Sequence, residues 1–202
     1  MTPPTESASY TQRQSDDTAR RQSLAQQRFR ASRESEARLL LLIDAFSRKR
    51  NGTARHIEGR VKLAKLDFLV RYPQHLRRIL QNHGVPDKDL QGLLADDAPL
   101  DSRMMRYRYG PWDPSYFAVL GSLIGRGLVE VTPLGSASGF GYRTTPMGAD
   151  LAADLKADAS FDTLQNRLAL LRRHLDKSGT TLKNYLYELP EVSDTSWRED
   201  IE

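Results

Sequence analysis

The chain has 202 residues, 39% of them hydrophobic and 28% charged, with a net charge of +4 and no cysteine. That length holds one domain with extensions or two small domains, and the missing cysteines exclude disulfides, thiolate metal sites and cysteine nucleophiles. The longest apolar run, Leu39 to Ile43, is too short to span a membrane, and the opening MTPPTESASY lacks the basic and apolar regions of a signal peptide, so a cytoplasmic location is expected.

Charge is spread unevenly: residues 1–60 carry 12 Lys/Arg against 7 Asp/Glu, whereas from Asp176 onward 3 stand against 7. The basic end suits phosphates and the acidic end repels them, although a weakly polarised solvated surface explains the same pattern. Residues 1–34 read as an extension that is disordered alone or ordered by a partner, polar and without apolar periodicity at first, then helix-compatible but with Leu24 and Phe29 as its large apolar residues. The first firm helix is expected from Ser35, a plausible cap, to Arg48, with Leu39, Leu42, Ile43 and Phe46 as its apolar stripe. Arg48-Lys49-Arg50 then offsets the helix dipole or touches phosphates. Asn51 to Glu58 reads as a loop, Arg60 to Tyr72 as a strongly apolar helix stopped by Pro73, and Gln74 to Asn82 as a further helix with Gly84 as its stop. Val85 to Leu100 is a polar connector with room for a short helix around Leu90 to Leu94. RMMRYRY, Arg103 to Tyr109, alternates basic with apolar residues, as a strand would, and leads to a Gly110-Pro111 turn.

Residues 113–148, DPSYFAVLGSLIGRGLVEVTPLGSASGFGYRTTPMG, are the most informative stretch. Asp113 can cap and Pro114 suits the first helical position; Tyr116, Phe117, Leu120, Leu123 and Ile124 recur at helical spacing; Gly127 suits a left-handed stop. Leu128 to Thr132 and Phe140 to Thr144 read as strands around a glycine-rich tip, after which Thr145 caps and Pro146 starts a helix turning Met147, Leu151, Ala152 and Leu155 inward. That order is the recognition helix, two-stranded wing and following helix of a winged helix-turn-helix. The expected fold is therefore mainly α with a small β wing, over residues 35–157, with additional N- and C-terminal helices. A helical extension covers 158–190. There Phe161, Leu164, Leu168, Leu171 and Leu175 form a short heptad seam that either packs on the protein's own domain or meets a partner helix. Gly179 ends that helix, Thr181 to Leu189 forms a short one, and 191–202 is an acidic tail.

Nothing in the chain argues for catalysis. His56, His75, His83 and His174 have no ligand spacing, and no metalloprotease, phosphate-loop or nucleophile-elbow motif is present. No cofactor or metal is expected. The helix that should read DNA presents Ser115, Ala118, Val119, Ser122 and Gly125 opposite its core face, where a reader of base edges carries Arg, Lys, Asn or Gln. Arg103, Arg106, Arg108 and, in the wing, Arg143 are the candidates for contact with DNA phosphates. The candidate partner interface comprises Tyr109, Trp112, Ser115, Ala118, Ser122, Phe161, Leu164, Leu168 and Leu171. Trp112 reads equally as an interface anchor and as a plug under the helix.

Taken together, LAKLDFLVRYP (Leu63 to Pro73), MMRYRYGPWDPSYFAVLGSLIGRGLVE (Met104 to Glu130) and GFGYRTTPMG resemble the middle component of ABC-three-component, Lamassu-type anti-phage defence systems, over about Ser35 to Leu155. The resemblance implies a non-catalytic accessory subunit that bridges an SMC-like ATPase and a separate effector. The competing expectation, from the segment shared with many winged helices, is a dimeric MarR/PadR-like transcription regulator.

Overall fold

The computed structural model describes residues 30–49, 51–93, 104–135 and 139–201. In chain order the elements are α1 (Arg33–Phe46), β1 (Ile57–Glu58), α2 (Gly59–Arg71), α3 (Pro73–Asn82), β2 (Met105–Tyr107), β3 (Gly110–Trp112), α4 (Tyr116–Gly125), β4 (Val129–Pro133), β5 (Phe140–Thr144), α5 (Pro146–Ala157), α6 (Asp162–His174), α7 (Gly179–Leu186) and α8 (Pro190–Ser193). The fold is rich in α-helix with a small antiparallel sheet. Among the described residues no helix is long and apolar enough to cross a membrane.

Helix α2 is the axis of the core. Every residue from Lys62 to Arg71 is buried. Its apolar residues cover too much of the circumference for one face to meet water, so neighbours must surround it. Those neighbours are α1, β1, α3, β3, β5, α6 and α7. Polar groups on α2 find partners inside: Lys65 Nζ donates to the Gly179 carbonyl at 2.8 Å, and buried Arg167 of α6 donates to the Val70 carbonyl at 2.9 Å. The second contact sets a cation on the last turn of α2, where the helix dipole favours it.

Helix α1 begins earlier than expected. Ser32 is its cap, and Ser35 is the third helical residue of a reciprocal capping box, so Arg33 and Glu34 belong to the helix rather than to an extension. It ends at Phe46; Arg48 bridges to Ala54, and Arg50 lies outside the described residues. Residues 51–58 are also more than a loop. They end in β1, which pairs with β5 through Ile57 opposite Tyr142, giving a three-stranded sheet in the order β1-β5-β4. Two residues are too few to show alternation in a sequence, and the partner strand lies far along the chain. The connector after α3 forms two single-turn 3₁₀ helices, Asp87–Asp89 and Gln91–Leu93, and residues 94–103 lie outside the described residues.

The segment from α4 to α5 closes as its turn residues demand. Gly127, at φ +70°, lets the Leu128 N–H reach the Leu123 carbonyl and its own N–H reach that of Ile124. That double bond satisfies the free carbonyls at the end of α4. Thr145 caps α5 by accepting from the Gly148 N–H at 3.0 Å. A Cβ on Gly148 would lie 1.9 Å from the Leu128 carbonyl oxygen, so glycine is required where α5 crosses the start of β4. Of the glycine-rich tip expected between Pro133 and Gly139, residues 136–138 lie outside the described residues. Met147 is exposed, and it is Ala152 of α5 that is fully buried.

The C-terminal third departs most from the sequence reading. Gly179 opens α7 instead of ending α6, because Ser178 caps it by accepting from the Thr181 N–H. Residues 191–201 are folded as well. After α8 the chain runs antiparallel beside β2: the Arg106 N–H donates to the Glu199 carbonyl, Arg198 to Arg106, and Ile201 to Met104. Val192 and Ile201 are fully buried, which draws this acidic stretch onto the core.

Candidate interface on the hairpin face

Strands β2 and β3 form a tight hairpin whose turn is Arg108–Tyr109. The expected Gly110-Pro111 turn is instead the first part of β3, with Pro111 opposite Arg106. The C-terminal segment covers the other edge of β2. Side chains that alternate across so short a sheet must show one set to solvent, and here that set is aromatic. Trp197, Tyr107, Trp112 and Phe117 follow one another with ring centroids 6.1, 6.1 and 5.8 Å apart. Phe117 is 61% and Trp197 58% exposed, and Tyr109 beside the row is 49% exposed. Both tryptophans of the chain stand in this row. Arg60 lies 4.7 Å over the Phe117 ring, Arg198 4.1 Å over Trp197, and Arg108 5.4 Å over Tyr109. A cleft of about 270 Å³ opens between Arg60, Val61, Tyr107, Gly110, Trp112 and Phe117.

The row is anchored from beneath by buried charges. Arg71 donates to Asp113 at 2.6 Å, directly after Trp112, and Asp113 also accepts the Ser115 N–H at 2.8 Å. Asp67 accepts from Arg38 at 2.8 Å and from the Tyr116 hydroxyl at 2.8 Å. Burial raises the Tyr116 hydroxyl well above its ordinary pKa and the neighbouring Asp67 charge raises it further, so it remains a neutral donor. Burial works against the Arg71 charge, yet the charges of Asp67 and Asp113 outweigh it and raise its pKa. The Tyr72 hydroxyl accepts from the Met104 N–H at 2.9 Å, fixing the chain where β2 begins. Trp112 is half-buried, its ring edge-on to Tyr116 at 5.2 Å, so it takes part in both core and surface.

Of the residues expected at a partner interface, Tyr109 and Trp112 are on this face. Ser115 is buried, and Ala118 and Ser122 are half-buried. The phase of α4 differs from the expected one: Tyr116, Val119, Leu120 and Leu123 face the core, while Phe117, Gly121 and Ile124 face out. The heptad seam is internal. Leu168 and Leu171 pack against the chain's own helices, so they are not free to meet a partner helix or a second copy. Half-buried Phe161 and buried Leu164 line a groove of about 880 Å³ with Arg33, Ala37 and Leu155, between α1, α5 and α6.

The expected phosphate contacts do not come together. Arg103 lies outside the described residues. Arg106 is turned inward: it donates to the Val192 carbonyl at 2.8 Å and the Tyr187 hydroxyl at 2.6 Å, clamping the C-terminal segment. Arg143 pairs with Glu130 on the facing strand β4. Arg108 is exposed beside Tyr109.

Sequence reasoning missed Phe117, Val61, Arg60 and Trp197. The visible signal was a tryptophan in an otherwise polar, acidic terminus; the pairing of that terminus with β2 was not legible. Comparison with protein-family models, with curated proteins and with solved structures found no match.

Proposed function

We propose that this chain is a non-catalytic accessory subunit of an anti-phage defence complex, and that the hairpin face is where it docks on a protein partner. Its resemblance to the middle component of Lamassu-type systems names that partner as an SMC-like ATPase, with a separate effector in the same assembly. The observation that carries the docking role is the exposed row Trp197, Tyr107, Trp112 and Phe117 flanked by arginines. Trp, Tyr and Arg are the residues that dominate binding energy at protein interfaces, and contiguous exposed apolar surface is a mark of interaction sites.

A winged-helix reading of residues 33–157 is part of this proposal. It is supported by the order helix, short strand, helices, two longer strands, with the β2–β3 hairpin inserted before α4, and by the pairing order β1-β5-β4. In that reading α4 occupies the place of a DNA-recognition helix. Its outward residues are Phe117, Gly121 and Ile124, and Arg126 at its end is paired with Glu36 at 2.8 Å, which suits a protein surface better than base edges.

Co-expression with an SMC-like ATPase, which the proposal expects to find encoded beside this chain, is the direct test. The two should co-purify, and Phe117→Glu should abolish the complex while leaving the isolated subunit folded. A monodisperse protein that ignores the ATPase overturns the proposal, as does hydrolase activity of the subunit alone.

A further inference from the structure

Two observations at the far end of the row ask for a more specific occupant. Arg198 has φ +72°, the one positive value on a non-glycine residue among those described. A side chain in that region is strained, and such strain persists where surrounding structure over-determines it, often at binding sites. The surroundings here are the backbone bonds to β2 and the buried Ile201, and the result is that Trp197 stands outward next to Tyr107. Second, Arg60, Arg108 and Arg198 meet rings and, among the described residues, no carboxylate. Elsewhere on the surface Arg55, Arg78 and Arg126 hold carboxylates at 2.5 to 2.8 Å. A guanidinium held over a ring, with no carboxylate beside it among the described residues, leaves N–H donors for acceptors from outside.

We infer that the row from Trp197 to Phe117 binds an extended segment of a protein partner, one that carries aromatic or proline anchors between carboxylates, and that the C-terminal segment is a working part of this site. The inference rests on the docking role proposed above only in taking the partner to be a protein. Ring spacings of 5.8 to 6.1 Å make a narrow strip. Alternate side chains of an extended chain lie about 6 to 7 Å apart on one face, so successive anchors can meet successive rings. The arginines at Trp197, at Tyr109 and at Phe117 then place attraction at separate points. Single-stranded nucleic acid also stacks on rings, but it carries charge continuously, and it would have to run past the exposed Glu199, two residues from Trp197. A peptide can confine its carboxylates to the arginine positions.

The chain's two tryptophans both lie in the row, so intrinsic fluorescence of the full chain reports binding directly. Three probes suffice: a short peptide with Phe and Pro anchors flanked by glutamates, its lysine-flanked counterpart, and an oligodeoxythymidine. The glutamate peptide should bind about tenfold tighter than the lysine peptide, as expected for a few exposed charge pairs. In the double variant Arg60→Glu, Arg198→Glu that order should reverse. Trp197→Ala, which removes an exposed side chain, should weaken the glutamate peptide while leaving the thermal midpoint in place. Equal binding of the two peptides, an oligonucleotide that outcompetes both, or full affinity in Trp197→Ala would each overturn the inference. Co-purification with the ATPase alongside any of these results would leave the accessory-subunit proposal standing on another surface.

Discussion

Arginine meets two different environments in this protein. Inside, Arg38 and Arg71 meet Asp67 and Asp113 in a closed cluster joining α1, α2, the hairpin and α4. On the hairpin face, Arg60, Arg108 and Arg198 meet aromatic rings. A buried guanidinium without a carboxylate would carry a large desolvation penalty, so the interior cluster must be complete within the monomer. At the surface water carries that burden, and the guanidinium can stay available. The interior arginines therefore define the position of the hairpin, and the exterior ones define what the hairpin can meet.

The sharpest way to break that contrast is to remove the shared carboxylate of the cluster. Asp67→Ala leaves Arg38, Arg71 and the Tyr116 hydroxyl facing a vacancy, and should cost about 3 to 5 kcal/mol in urea unfolding. An unchanged midpoint would show that the cluster does not hold these elements together. Ile201→Ala comes next. It removes a fully buried side chain at the end of the C-terminal segment and should cost about 2 kcal/mol or more. It should also red-shift the tryptophan emission if the segment positions Trp197. Tyr116→Phe deletes one donor to Asp67 and should cost about 1 to 3 kcal/mol, with the hairpin's fluorescence preserved.

A surface pair sharpens the comparison from the other side. Burial opposes the Asp176 charge, but the hydrogen bond from Arg55 and the charges of Arg55, Arg172 and Lys62 outweigh it, holding the carboxyl below its ordinary 3.8. Its folded pKa is therefore below its unfolded one. The stabilisation is present in full above about pH 4 and fades as pH falls through the lower folded value. Asp176→Asn should cost under about 1 kcal/mol at neutral pH, with the gap to the unmodified protein narrowing in acid. Smallest of all should be Phe117→Ala, within about 0.5 kcal/mol by thermal unfolding, because the ring is outside; its effect should appear in complex formation.

The stretch from Gly127 to Pro146 was legible because its signals are local. A left-handed glycine, a strand, a glycine-rich tip and a Thr-Pro start each act within a few residues, and the strand limits of β5 and the cap of α5 stand where those signals put them. The phase of α4 was not legible. Tyr116, Phe117, Leu120, Leu123 and Ile124 make as good a stripe as Tyr116, Val119, Leu120 and Leu123, and the choice between them was made by α1 and β4 packing against the helix. Trp112 could be read both ways, and its half-burial shows why.

By itself the sequence determined the local elements: helices through their apolar spacing, several of their ends through Pro73, Gly127 and Thr145, and strands β4 and β5 through their turn. Tertiary structure decided which polar residues face inward and which aromatic residues face out. Arg71 and Arg106 look in the sequence like Arg60 and Arg108, and only the arrival of Asp113, Tyr187 and the Val192 carbonyl from distant parts of the chain separates them. The acidic terminus was settled in the same way. Its charges predict a solvated tail, but Val192 and Ile201 find a place in the core and β2 offers an unpaired edge. Burial and backbone hydrogen bonding together outweigh the preference of the charges for water.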